Sequence, residues 1–198
     1  KFINVGQTCI APDYVLVHES IKNELVSKLK TAIQKFYTAD AATSYDYGKI
    51  INEKRFDKLI SYLNDGTIIY GGEHNKESLF IAPTLLENVS LQAPIMQEEI
   101  FGPLLPIITF KTREEAMHII QQNENPLAFY LFTTNQSSEE FWMNNVAFGG
   151  GCINNTVYQF ANNNLPFGGV GNSGMGAYHG KFSFDVFTRK KAVLKTPN

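Results

Sequence analysis

A single cysteine, Cys9, follows the short run Asn4-Val5-Gly6-Gln7-Thr8 and precedes Ile10-Ala11-Pro12-Asp13. A thiolate attacks electrophilic carbon better than a hydroxyl does. A free thiol titrates near 8.5, so a local environment must favour the anion near neutrality. Backbone N–H groups at a tight turn or helix end can do so, and the same donors can hold an oxyanion. The competing reading is a small buried hydrophobe, the commoner fate of a free cysteine. A second chemical stretch is Met96-Gln97-Glu98-Glu99-Ile100-Phe101-Gly102-Pro103. Adjacent loop carboxylates are usually only solvated. Yet an acid two residues before an aromatic, fixed by Gly-Pro, can bind a ribose diol and pack a flat ring.

The third stretch is glycine-rich, Pro166 to Gly176, with Tyr178 and His179 just beyond it. Gly169-Val170-Gly171-Asn172-Ser173-Gly174 has the spacing of a dinucleotide fingerprint. That motif requires a preceding strand, a following helix and an acid about twenty residues on. Pro166-Phe167 precedes it here, and the nearest following acid, Asp185, comes eleven residues after Gly174. The stretch is therefore a tight loop in which backbone approaches something closely.

The elements that must position these residues alternate between two periods. Tyr14–His18 reads as a buried strand. Ser20 is placed to cap a helix carrying Ile21, Leu25, Leu29, Ile33 and Phe36. Residues 38–50 lack periodicity and read as a surface loop. A helix over 52–65 puts Phe56, Leu59, Ile60 and Leu63 on one face, with Gly66 as its stop. Strands follow at 67–70 and, interrupted by Pro83, within 79–89. Leu104–Phe110 is a strong strand, and Thr112 with Glu115 forms a capping box for a helix to about residue 122. A strand at 128–133, a helix at 136–145 and a short strand after Gly149-Gly150-Gly151 come next. Residues 184–194 read as extended. This alternation implies an α/β domain with an open, mostly parallel twisted sheet flanked by helices, and no linker is evident. In such sheets the chemistry gathers in loops beyond the carboxyl ends of strands.

Composition narrows the classes. Seventeen basic and nineteen acidic residues give a net charge of −2 with no basic block longer than Arg189-Lys190-Lys191, so no nucleic-acid surface is expected. No apolar run reaches membrane-spanning length. Cys9 and Cys152 are the only cysteines, and the four histidines are scattered. No metal site is expected, and a reduced, cytoplasmic setting fits better than a disulfide. The chain begins with Lys1, and its opening residues read as mid-domain sequence.

Taken together, Asn4-x-Gly6-Gln7-x-Cys9, then Gln97 to Pro103, then Leu165-Pro166-Phe167-Gly168 through Gly176 closely resemble the aldehyde dehydrogenase superfamily, in the family's order and over essentially the whole chain. The wording from Gly171 to Gly180 resembles the class 3 or fatty-aldehyde branch. The resemblance implies that Cys9 is the nucleophile, adding to an aldehyde to give a thiohemiacetal, which is oxidised by NAD or NADP to a thioester and hydrolysed to the acid. It implies that Glu99 holds the nicotinamide ribose and Phe101 packs near the nicotinamide. It places Asn155, Phe167 and His179 near the substrate entrance. It further implies a catalytic domain over 1–185 and a C-terminal oligomerisation strand within 186–198 through which subunits form a homodimer. The family's cofactor domain, general-base glutamate and oxyanion asparagine belong to motifs upstream of the cysteine and are not in this sequence. The 198 residues alone are therefore expected not to oxidise aldehydes. Two alternatives are an acylating, CoA-dependent relative and a non-catalytic assembly domain.

Overall fold

The run after the cysteine forms strand β1 (Val15–His18), and it joins a sheet built mainly from strands distant in sequence. Strands β2 (Thr67–Tyr70), β5 (Thr84–Glu87) and β6 (Leu104–Phe110) complete that sheet in the order β1-β6-β5-β2. The β1–β6 and β5–β6 pairs are parallel, with Val15 opposite Ile107 and Thr84 opposite Leu104. Only β2 runs antiparallel, along the β5 edge. Strands β3 (His74–Asn75) and β4 (Phe80–Ile81) form a small antiparallel ribbon. The computed structural model describes residues 1–197. These fall into two compact units, Lys1–Gln122 and Asn123 onward.

Helices α1 (Lys22–Tyr37), α2 (Glu53–Ser61) and α3 (Arg113–Ile120) belong to the first unit. Its core has two sides, as a parallel sheet covered on both faces requires. Leu86, Leu104 and Ile108 pack with Phe56 and Leu59 of α2, whereas Leu85, Leu105 and Ile107 pack with Ile33 of α1. The alternation along β5 and β6 is the two-residue period of a strand. The first five residues of β6 are all buried, which is why it reads as a continuous apolar run. Each fully buried leucine of this kind contributes about 1.5–3 kcal/mol. The Thr112–Glu115 capping box is present at the start of α3.

The second unit pairs strands β7 (Ala128–Leu131) and β8 (Gly150–Ile153) in parallel. Helix α4 (Gln136–Asn145) lies between them in sequence and is capped by the Asn135 side chain. Gly149 and Gly151 answer to close backbone approach. A Cβ on Gly149 would lie 2.3 Å from the Gly168 carbonyl oxygen, and one on Gly151 would lie 2.2 Å from that of Phe129. Helix α5 (Gly180–Phe187) follows the glycine-rich loop.

Three sequence expectations need correction. Ser20 does not cap α1: it lies in a 3-10 turn over Glu19–Ile21, and the His18 ring accepts the Ser20 N–H instead. Residues 38–50 are not purely a surface loop. Tyr47 and Ile50 are buried in the core, and the Tyr47 hydroxyl donates to the Ile81 carbonyl at 2.8 Å. Residues 184–187 are helical, not extended. Their Phe-Asp-Val-Phe alternation imitates a strand, but the Ser183 hydroxyl accepts the His179 N–H at 2.8 Å and Lys181 pairs with Asp185 at 2.6 Å, both contacts of helical spacing. Past α5, the backbone at Thr188 is extended.

Candidate active site

The cysteine loop is wound tightly before it reaches Cys9. Asn4, Val5 and Gly6 all have positive φ, at 50°, 57° and 73°. Only glycine adopts that region without cost, so two non-glycine residues there mark a conformation imposed by surroundings. The Gln7 amide supplies much of the imposition. Its Nε2 donates to the Asn4 and Lys49 carbonyls at 3.2 and 3.0 Å, and its Oε1 accepts the Ile51 N–H at 2.9 Å. Asn4 Nδ2 donates in turn to the Gln7 carbonyl at 3.0 Å. The Ala11 N–H closes a turn onto the Thr8 carbonyl at 2.9 Å, and Cys9 stands exposed on that turn. Among the described residues, no acceptor takes up the Cys9 N–H.

The same loop is seated against the second chemical stretch. A Cβ on Gly6 would lie 2.2 Å from the Gly102 carbonyl oxygen, and one on Gly102 would lie 2.4 Å from Leu59 of α2. Glycine at both positions therefore lets the cysteine loop, the Glu99–Gly102 segment and α2 stack within the first unit. The structure separates the two adjacent acids. Glu98 forms a surface ion pair with Lys58 at 2.7 Å, and that hydrogen bond lowers its pKa. Glu99 has no side-chain partner among the described residues. Loss of water, and then the charge of Asp13, push its pKa up against the pull of Arg55 and Lys1. Phe101 follows at φ 45°.

Charged side chains grip this segment from behind. Asp13 Oδ1 accepts the Ile100 N–H at 3.2 Å, and Arg55 Nη2 donates to the Glu99 carbonyl at 2.9 Å and also to the Ile100 carbonyl. The Lys1 ammonium lies 3.8 Å from Asp13. Burial lowers the Lys1 pKa to about 8 and raises that of Asp13, each opposed by the other's charge. A cleft of about 680 Å³ opens beside this segment, its lining including Lys54, Arg55, Lys58, Glu98 and Phe101.

In the second unit Phe167 and His179 come together. Their rings stack at 5.5 Å with 22° between planes, and Phe160 and Tyr178 join edge-on, 5.1 and 4.9 Å from the His179 ring. Phe167 and Tyr178 exchange two backbone hydrogen bonds of 2.9 Å, which holds both sides of the loop together. His179 Nδ1 is buried with no partner among the described residues. Asn155 is exposed and makes a local bond to the Thr156 N–H, with no contact to this cluster. Its neighbour Asn154 is structural, bonding both the N–H and the carbonyl of Thr133 at 2.9 Å.

Sequence reading missed Asp13, Arg55, Lys1 and Phe160. A charged residue one turn before Leu59 on an otherwise apolar helix face, and an aspartate inside Ile10–Val15, were the available signals. Among the described residues no group of His, Cys, Asp or Glu could hold a metal, and no helix is long and apolar enough to cross a membrane.

An exposed thiol on a strained turn, seated against a loop that presents a free carboxylate and an aromatic ring beside a parallel sheet, defines a cysteine-centred α/β site. The chain belongs to the Aldehyde dehydrogenase family, whose profile it matches over residues 1–193. It is 48% identical over 196 residues to 4,4'-diaponeurosporen-aldehyde dehydrogenase of Staphylococcus aureus, covering 98% of this chain and 43% of that protein. It is 46% identical over 194 residues to the mouse aldehyde dehydrogenase described as dimeric and NADP-preferring, covering 98% of this chain and 43% of the relative. A solved structure titled as the substrate-bound state of Staphylococcus aureus AldH superposes with a TM-score of 0.91 at 45% identity, covering 98% of this chain and 44% of that one. The chain thus spans less than half the length of these relatives.

Proposed function

We propose that this chain carries the nucleophile and part of the cofactor and substrate sites of an NAD(P)-dependent aldehyde dehydrogenase, an oxidoreductase making carboxylic acids from medium-chain, long-chain or aromatic aldehydes. The observation that carries the reading is the seating of Gly6 on Gly102, which ties the exposed Cys9 turn to the loop presenting Glu99 and Phe101.

The residues fit a pyridine dinucleotide. Lys54 and Lys58 give the cleft beside Phe101 a basic wall suited to phosphates. Glu99, with no side-chain partner among the described residues, is free to accept from a ribose diol, and Phe101 offers a flat ring. NAD(P)+ supplies the two-electron acceptor when bound. Cys9 as thiolate adds to the aldehyde carbon, giving a thiohemiacetal whose oxygen the unclaimed Cys9 N–H stabilises. Oxidation of that adduct leaves a thioester on Cys9. Water then takes the acyl group away as the carboxylic acid, and the thiol is restored.

Phe167 and His179, packed with Phe160 and Tyr178, serve the aldehyde's hydrocarbon part, and Asn155 is a further substrate-side residue. Residues 186–198 serve as the pairing segment of a homodimer. Phe187, Val193 and Leu194 are strongly exposed for so apolar a stretch. Both thiols are free, as a cytoplasmic enzyme would keep them. No residue here is assigned as the base, so the 198 residues by themselves are expected to form no NAD(P)H. The test is incubation of the full-length protein with hexanal or benzaldehyde and NAD+ or NADP+. One mole of acid per mole of reduced cofactor is the expected result. An acyl-CoA product formed only with added CoA would establish the acylating alternative, and no cofactor reduction with any aldehyde would favour the assembly-domain reading.

A further inference from the structure

Phe101 occupies a left-handed backbone conformation at φ 45°, which a bulky aromatic residue holds only where its surroundings over-determine it. The residues on both sides of it are held by backbone contacts. Before it, the Ile100 N–H is taken by Asp13, and the Glu99 and Ile100 carbonyls are both taken by Arg55. After it, the Gly102 carbonyl abuts Gly6, and the Pro103 carbonyl accepts the Thr84 N–H at 2.9 Å. All of these contacts hold main chain. Among the described residues the Glu99 carboxylate and the Phe101 ring are left free to meet something else.

We propose that Arg55 and Asp13 are positioning residues that fix the Glu99–Phe101 segment for the nicotinamide end of the dinucleotide. The inference rests on the reading of Glu99 and Phe101 given above. Arg55 acts from the first turn of α2, where the Asn52 side chain caps its own N–H at 2.9 Å. A single guanidinium nitrogen spans two successive carbonyls and so fixes the direction in which the chain leaves toward Phe101. Asp13 lies four residues after Cys9, so the thiol turn and the cofactor loop share one anchor. Asp13 also places a negative charge near Arg55.

A merely structural Arg55 and a positioning Arg55 differ in what their loss does to two ligands. ADP carries the adenosine half of the dinucleotide and lacks nicotinamide and its ribose. In the full-length protein, NADH and NADPH affinities are read from bound-cofactor fluorescence and ADP affinity from competition. Arg55→Met is expected to weaken the reduced dinucleotide about tenfold, the usual size for a hydrogen bond to a charged group, while ADP stays within about twofold. Arg55→Lys keeps the charge but loses the planar guanidinium whose Nη2 reaches both carbonyls, and about a threefold selective loss is expected from it. It also serves as the readable variant should Arg55→Met fail to fold. Equal weakening of both ligands, or of neither, with Glu99→Gln still selective against the reduced dinucleotide, overturns the positioning role alone. A Glu99→Gln variant that binds both ligands normally overturns the cofactor reading of Glu99 and the proposal with it.

Discussion

The two groups of candidate site residues are held by different means. In the first unit, the Cys9 turn and the Glu99–Phe101 segment rest on a two-sided buried core and on charged grips on their main chain. In the second unit, Val146 is the only buried hydrophobic side chain among the described residues, and Phe167 and His179 are held by ring packing and a pair of backbone bonds. On the proposed reading, chemistry that needs a fixed distance between thiol and cofactor falls to the well-supported first unit, and contact with a variable hydrocarbon chain falls to the sparsely buried second unit.

The largest expected contrast between the regions is chemical. Cys9→Ser in the full-length protein should lower kcat by about a thousandfold or more, because a hydroxyl is a poor nucleophile without its own base. Cys152→Ser should leave turnover within a few fold, since Cys152 only donates to Gln159 at 2.9 Å beside β8. Steady-state kinetics of both variants would check this. Equal losses would erase the distinction between the two thiols.

Next comes packing. Leu59→Ala, at a fully buried position under Gly102, should cost about 3 kcal/mol of stability. Phe184→Ala on exposed α5 should cost under about 0.5 kcal/mol, unless subunit pairing covers it. Urea unfolding of the two variants measures the pair. Gly6→Ala combines φ 73° with a Cβ placed 2.2 Å from the Gly102 carbonyl oxygen, and about 2 kcal/mol of destabilisation is expected. It should impair Cys9 reactivity along with stability, which Phe184→Ala should not.

The last contrast is electrostatic. Burial holds the Lys1 pKa at about 8 against an ordinary 10.5. Between those values the unfolded chain binds more protons than the folded one, so stability rises with pH from about 8 to 10.5 and flattens above. Lys1→Met should remove that rise, and thermal unfolding across the window would test it.

Legibility in the sequence followed the range of the interactions. Strand β6 and the Thr112–Glu115 capping box are written in adjacent residues, and both were plain. The three site motifs were plain because each is a continuous run. Arg55 and Asp13 were not, because Arg55 reaches a carbonyl 44 residues away and Asp13 an amide 87 residues away. Nothing local marks such a partner except a charge in an apolar setting. Tyr47 and Ile50 failed for a related reason: they enter the core from a segment without a repeat. Helix α5 failed because the alternation of Phe182, Phe184 and Val186 carries the period of a strand, while the contacts that make it helical lie at the third and fourth residues.

The central claim is that Cys9, and not Cys152, bears the acyl group. It is tested most directly by acid-quenching the full-length protein during turnover with hexanal and NAD+ or NADP+ and mapping the modified peptide by mass spectrometry. A hexanoyl thioester on the peptide containing Cys9, absent without cofactor, is the result expected. An acyl group on Cys152, or rapid turnover with both cysteines unmodified and Cys9→Ser still active, would contradict it.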